Sequence, residues 1–480
     1  MKKTAIYCIL LASVIIRMFT VPASASSANV QIGDLSGDSA TNSVILANTC
    51  HGMDATSALL GADKIIKNAK SAFLYESGSD TLMYSLNADE KAYPASFVKI
   101  MTGYIAAEEG NLDDLVTVSE GAVSSLPVDA VSADLLAGEQ IRLEDLLYCL
   151  LVSSANDAAA VIAEHISGSQ EAFVELMNQY AKDIGCTSTQ FTNAHGLHNE
   201  QQYTTARDSA RILNTAIKNS IFREIFTSVK HSVPATNLSS ERLLTSNNFI
   251  LDTASKLYYD ERVIGGRTGV TEDGRRSIAT ASEKNGMLLI CIVMGSDTVY
   301  QEDGTSAITV GGYQETTQLL DAGFAGYKTA QIIYSEQALR QLEIPNGSNN
   351  LIIGPKDSVS AVIPETATFG ELSFRYADAA LQAPISKGEK VSSVQIWYGN
   401  MCVAQTDLFA MNDVAASGSV HSVEQVRDSG FTIGWIIWFF AGAVCVAGFG
   451  FGTFYLVKRF RILSATRRNR NYRRSRRRSR

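Results

Sequence analysis

The chain has 480 residues, 46% of them hydrophobic and 19% charged, with a formal net charge of −8. It is long enough for more than one domain, and its apolar share is that of a globular protein with true cores. The total hides an asymmetry: residues 1–25 carry +3 and residues 458–480 carry +12, so residues 26–457 carry −23, and such an acidic body argues against nucleic acid as its ligand.

In chain order, Met1-Lys2-Lys3, the apolar run from Ala5 to Phe19 and Ala23-Ser24-Ala25 read as a secretory signal peptide over 1–25, although Arg17 interrupts the run. Residues 26–70 are rich in Ser, Ala, Asn and Gly. They read as a loosely ordered lead-in with a short helix ending near Lys70. Ala72–Tyr75 and Thr81–Tyr84 then predict a hairpin around Ser77-Gly78-Ser79-Asp80. In "YPASFVKIM" the apolar positions Phe97, Val98, Ile100, Met101 and Ile105 predict a helix from Ser96. A helical block spans about 143–219, with Gly185 as a helix stop.

From Val263 the pattern turns to strands: "VIGGRTGVT", "RSIATASEK" and, after an Asn285-Gly286 turn, "MLLICIVMG". Hairpin, helices, then strands imply an α+β domain over 71–326, in which both ends of the segment build one antiparallel sheet with helices packed on it. Short strands at turn-rich intervals predict a small all-β domain over 327–412, followed by a polar linker over 413–428. Residues 429–457 carry no charge and are long enough to cross a bilayer as a tilted helix. The tail 458–480 has twelve Lys or Arg and no acid, which predicts a cytoplasmic end and an extracytoplasmic body.

Of seven cysteines, Cys8 lies in the signal and Cys445 in the apolar segment. Cys50, Cys149, Cys186, Cys291 and Cys402 remain: an odd number without a CxxC, expected to be buried thiols. His195 and His198 form an H-x-x-H without further ligands nearby, so neither a metal nor a cofactor is expected.

Three short motifs carry the candidate chemistry, and each has an ordinary reading. Ser96-Phe97-Val98-Lys99 is an S-x-x-K, of which about two are expected by chance in such a chain. It is an odd helix start, because a lysine in the first turn faces the positive end of the helix dipole. Ser154-Ala155-Asn156 lies in "SSAND", good helix-capping chemistry. Arg267-Thr268-Gly269 could be an edge-strand arginine with glycine at a close approach. In this order, at a helix start, between two helices and on a strand, they are far more specific.

S-x-x-K, S-x-N and K-T-G in this sequence resemble the signature of penicillin-binding proteins and class A β-lactamases. With "YSLNADEKAYPAS", "VSSANDAA", "FTNAHGL", "YTTARDSARI" and "GGRTGVT", the chain is most similar to the low-molecular-mass penicillin-binding proteins that are serine D-Ala-D-Ala carboxypeptidases. The resemblance covers about 70–325, and "LQAPISKGEKVSSVQIWYG" resembles their C-terminal domain. It implies a serine β-lactamase/penicillin-binding-protein-like fold and removal of the terminal D-alanine from peptidoglycan stem peptides ending in D-Ala-D-Ala, with β-lactams as inhibitors. In that reading Ser96 is the nucleophile and Lys99 its base, one helical turn away. Ser154 relays a proton, and Asn156 orients Lys99 and holds the substrate amide. The N–H groups of Ser96 and Val270 form the oxyanion hole. Thr268 and Arg267 hold the terminal carboxylate, with Gly269 between them and Val270, and Arg207 strengthens the positive site. Phe97 and Val98 replace small polar residues, and Arg267 replaces the family's lysine, a change that keeps charge but not geometry. A β-lactamase and a binding module that has lost activity are the competing readings.

Overall fold

The computed structural model describes residues 50–61, 65–300 and 307–417. The expected signal peptide, apolar segment and basic tail lie outside the described residues. Among the described residues no helix is long and apolar enough to cross a membrane.

A five-stranded antiparallel sheet forms the frame. Its strands are β1 (Ser71–Glu76), β2 (Thr81–Leu86), β3 (Val263–Val270), β4 (Arg276–Lys284) and β5 (Met287–Ser296), in the order β2-β1-β5-β4-β3. The two ends of the domain meet where β1 pairs with β5, Ser71 opposite Met294 through Glu76 opposite Leu289. Both sheet faces are covered, which explains why β1 and β5 read as continuous apolar runs. Successive side chains alternate between two cores. Phe73, Tyr75, Ile290, Ile292 and Met294 join the helical core, whereas Ala72, Leu74, Leu289, Cys291 and Val293 face the other layer.

The helical layer comprises α1 (Val98–Glu109), α2 (Leu143–Leu151), α3 (Asn156–Ser167), α4 (Gln170–Asp183) and α5 (Ala206–Ala216). Helix α1 is central, packing on α2, α3, α4 and α5, and buries Ile100, Met101, Ile105 and Ala106. Gly185, at φ +84°, follows the end of α4, the conformation expected of a glycine stop. One further short helix, Ser220–Phe226, extends the block, and Asn219 caps it by accepting a hydrogen bond from the Phe222 N–H at 2.9 Å. On the opposite face lies α6 (Tyr313–Phe324), which buries Tyr313, Leu319, Leu320 and Phe324.

No helix ends near Lys70 among the described residues of the lead-in. That segment instead covers the free edge of β2: Leu59 N–H donates to Leu82 O and Leu60 N–H to Met83 O, each at 2.9 Å. A strand edge left open is a site for unwanted pairing, so the lead-in has a structural use that its composition concealed.

The described residues divide into two compact units. The first takes in the chain up to Gln341 together with Ile352–Ala380 and Gly388–Met411. Its C-terminal β-region pairs Leu372–Tyr376 with Lys390–Tyr398, and that strand with Met401–Ala410. The second contains Leu342–Leu351, Leu381–Lys387 and the residues from Asn412, tied by bridges between Gly347 and Ala416 and between Ile385 and Val414. The cysteines expected as buried thiols are so: Cys50, Cys149, Cys186, Cys291 and Cys402 are all buried and outside any disulfide. Burial pushes the Cys50 and Cys149 thiols up to about 12, so neither is a thiolate at neutral pH.

Candidate active site

The site gathers at the N-terminal end of α1. Ser96 lies in a single 3-10 turn, Ala95–Phe97, that runs directly into that helix. No side chain caps either start, so Ser96 does not play the ordinary capping role open to it. Ala95 has φ +46°, a conformation that costs a non-glycine residue roughly 1–3 kcal/mol. Two glycines crowd this turn. A Cβ on Gly196 would come within 2.0 Å of Ala95 O, and one on Gly269 would stand 3.2 Å from Ser96 N. Only bare backbone allows the 195–196 loop and β3 to approach Ser96 from both sides.

Lys99 is 1% exposed. Its Nζ lies 3.5 Å from Ser96 Oγ, donates to Asn156 Oδ1 at 2.7 Å and makes a short hydrogen bond to His195 O. Burial, and then the nearby Arg267 charge, hold its ammonium well below the usual lysine range, against an opposing pull from Asp157. The positive end of α1 acts in the same direction. A lysine so placed is available as a neutral base.

Ser154 sits in the loop between α2 and α3 at φ +67°, again without a glycine. Its Oγ is 3.5 Å from Ser96 Oγ. The start of α3 has no side-chain cap either. Asn156 accepts from Lys99 at 2.7 Å and donates through Nδ2 to Val131 O at 2.9 Å. It therefore orients the base, while its amide N–H serves the 131–135 loop. The next residue, Asp157, is 2% exposed and pins that loop by accepting from Ser132 Oγ at 2.6 Å, Ala133 N at 3.0 Å and Leu135 N at 3.1 Å. Sequence reasoning stopped at Asn156. The signal for Asp157 was an acid inside an otherwise apolar helix start.

The structure separates the three residues of the R-T-G motif. Alternation along β3 turns Arg267 toward the helices and Thr268 away from them. Arg267 is 3% exposed, and its fork donates to Leu151 O at 2.8 Å and Leu150 O at 2.7 Å. These are carbonyls at the end of α2, where a cation is favourable. Burial brings its guanidinium down to about 10, so it remains charged at neutral pH. The sequence reading assigned Arg267 to a substrate carboxylate, but both arms of its fork hold backbone carbonyls and it is not on the cleft wall. Thr268, Gly269 and Val270 are on that wall, with Ser96, Ser154 and Asn156, around a cleft of about 440 Å³.

Arg207, the other expected cation, is also elsewhere. It forms a two-point pair with Asp89 at 2.7 and 3.0 Å and donates to Met53 O at 2.6 Å. Sequence reasoning missed Arg276 and His195, both on the cleft wall. His195 contributes its carbonyl to Lys99. Its ring accepts from Leu197 N at 3.1 Å, and burial, with the Lys99 charge, lowers its pKa to about 4. Among the described residues no group of three or more His, Cys, Asp or Glu could hold a metal.

Comparison with known proteins agrees with this geometry. The family model described as D-alanyl-D-alanine carboxypeptidase matches residues 60–298. The D-alanyl-D-alanine carboxypeptidase DacA of Haemophilus influenzae is 32% identical over 361 residues, covering 73% of this chain and 86% of the relative. The chain belongs to the D-alanyl-D-alanine carboxypeptidase family. As in a penicillin-binding protein, a second domain follows: residues 327–416 match the penicillin-binding protein 5 C-terminal domain. Another carboxypeptidase, DacC of Escherichia coli K12, is 29% identical over 372 residues, 73% of this chain and 85% of that one. The crystal structure of penicillin-binding protein 5 from Haemophilus influenzae superposes with a TM-score of 0.63 at 28% identity, covering 74% of this chain and all of the other. The expectation of a low-molecular-mass penicillin-binding protein is borne out.

Proposed function

We propose that this carboxypeptidase releases the terminal D-alanine from peptidoglycan stem peptides ending in D-Ala-D-Ala, through an acyl-Ser96 intermediate. The observation that carries the mechanism is the buried Lys99 amine 3.5 Å from the Ser96 hydroxyl. Neutral Lys99 takes the Ser96 proton as Oγ attacks the penultimate D-alanine carbonyl. The tetrahedral oxyanion is received by the N–H groups of Ser96 and Val270, an arrangement in which each donor is worth about 10²–10³ in rate. The C–N bond to the terminal D-alanine then breaks. Its amine takes up the proton through Ser154, whose Oγ stands 3.5 Å from Ser96 Oγ. Water, deprotonated by Lys99, attacks the ester and restores the Ser96 hydroxyl. A β-lactam enters the same path and stops at the acyl-enzyme.

Residues 1–25 and 429–457 support a chain exported across the membrane and held there by a C-terminal helix, with the carboxypeptidase on the outer face and the basic tail against anionic lipid on the inner face. The test is to incubate the full chain with a fluorescent penicillin and, separately, with a peptide ending in D-Ala-D-Ala. Covalent labelling and D-alanine release, both lost in Ser96→Ala, are expected. Absence of labelling would remove the acyl-serine mechanism, and rapid turnover of penicillin would make the chain a β-lactamase.

A further inference from the structure

Two of the buried cysteines lie against each other although 352 residues separate them in the chain. Cys50 N–H donates to Cys402 O at 3.1 Å, and Cys50 Sγ donates to the same carbonyl, also at 3.1 Å. The other three lie elsewhere: Cys149 and Cys186 in the helical core, and Cys291 on the opposite face of the sheet. We propose that Cys50 and Cys402 close into a disulfide when the chain folds in an oxidising medium. The inference rests on the proposed export of the chain, which supplies that medium. One pair and three single thiols then account for the odd number of cysteines in the body of the protein.

A main-chain hydrogen bond sets two segments at the spacing of neighbouring strands, where facing Cα atoms stand about 4.5–5.5 Å apart. A disulfide spans Cα atoms about 4.4–6.8 Å apart, so the pair meets the backbone requirement for one. Cys402 Sγ donates to Ala404 O at 3.4 Å, so closure exchanges two weak S–H donations for a covalent bond. Both cysteines are 0% exposed, and burial pushes the Cys50 thiol up to about 12. Such a thiol does not attack an oxidant. The bond therefore forms in the folding chain, before Cys50 is covered, and the same burial then keeps reductants out. The electrons pass to a disulfide-bearing oxidant. One cysteine thiolate attacks its sulfur–sulfur bond, forming a mixed disulfide and releasing one thiol. The second cysteine attacks the mixed disulfide and releases the other thiol, so two protein thiols are oxidised and one external disulfide is reduced. Both cysteines belong to the same compact unit. Cys402 lies on the strand Met401–Ala410, opposite Trp397, and Cys50 stands where the lead-in begins to cover β2. There Cys50 O accepts from Leu82 N–H at 2.7 Å, and Gly52 N–H donates to Asp80 O at 2.6 Å. The bond staples this cover to the C-terminal β-region and closes a long loop in the unfolded chain, which lowers the entropy lost on folding.

The test traps the full chain with a thiol-alkylating reagent before its cells are broken, then digests it without reduction for mass spectrometry. The peptides that hold Cys50 and Cys402 are expected to be joined, with Cys149, Cys186 and Cys291 unlinked. In detergent, the oxidised chain should melt roughly 5–15 °C above the same chain unfolded and refolded with a reductant. Cys50→Ala, Cys402→Ala and the double variant should each lose that gap to the same extent. Cys186→Ala should keep it, which separates a lost bond from lost packing. Reduced Cys50 and Cys402 in chain whose signal peptide has been removed, linkage of either to another cysteine, or a wild-type Tm indifferent to reductant would overturn the pair. Chain that keeps its signal peptide and lies wholly inside the cell would count against export alone. Refolding that chain with oxidised and reduced glutathione would then decide: linkage of Cys50 to Cys402 supports the pair, and its absence in chain that labels with penicillin overturns it.

Discussion

Four helix starts away from the site carry a side-chain cap that the two starts within it lack. Ser119, Ser169, Thr205 and Asn219 each precede a helix and accept a hydrogen bond from a first-turn N–H, at 2.9 to 3.2 Å. Each such cap stabilises by about 0.5–2 kcal/mol. The two starts that form the site, at Ser96 and at Asn156, have no side-chain cap, and each follows or contains a non-glycine residue at positive φ. Ser96 and Ser154 face each other rather than the backbone. Where the sequence has capping residues that do not cap, stability has been given up to position hydroxyl groups and a lysine.

Experiments can break this contrast. The largest effect is expected for Ser96→Ala: a loss of kcat on the order of 10⁵-fold or more, as for removal of other serine nucleophiles, with no loss of thermal stability. Next, Lys99→Met should lower acylation by penicillin about 10²–10⁴-fold, the usual worth of a general base, while raising Tm because it removes a buried polar group. A Tm that falls would show that Lys99 is held for packing.

The pH dependence then sharpens the comparison. Neutral Lys99 is the active form, so kcat/KM should fall as pH falls through its lowered pKa. Arg267→Gln removes the charge that helps to hold that pKa down. The acid limb of the profile should therefore move to higher pH, and an unmoved limb would remove Arg267 from the electrostatic account. His195 gives a separate signature in stability. Its pKa falls from 6.5 to about 4 on folding, so the unfolded chain binds the extra proton between those values. Stability should drop as pH is lowered from about 6.5 to about 4, and chemical denaturation of His195→Gln should show a flatter dependence in that window.

The smallest effects compare the two kinds of helix start directly. Ser169→Ala should lose about 1 kcal/mol of unfolding free energy with activity within twofold. Ser154→Gly should gain about 1 kcal/mol or more by relieving the positive φ, yet react more slowly for want of the relay hydroxyl. Loss of stability in Ser154→Gly would mean that its loop is not strained.

The order of strands and helices was legible because both sheet faces are covered and the strands are unbroken apolar runs, and because the helices keep their period. Ser96, Lys99 and the S-x-N loop stood out because the resemblance rests on those residue types at short, regular spacings, and the structure brings them together. The covering of β2 by Leu59 and Leu60 was not, since backbone hydrogen bonds leave no trace in side-chain pattern. The loop anchored by Asp157 was missed for a related reason: its donors lie 22 to 25 residues before the carboxylate that accepts from them.

The arginines mark the boundary between the two kinds of knowledge. From sequence, Arg267 was expected to hold the carboxylate and Arg207 to strengthen the positive site, because a motif records residue type and not direction. Charge and family followed from the chain itself. Which cation faces the cleft was decided by the alternation of β3, the position of the α2 carbonyl end and the register that sets Arg276 opposite Val270. The α2 carbonyls lie 117 and 116 residues before Arg267 in the chain, and only packing brings them to it.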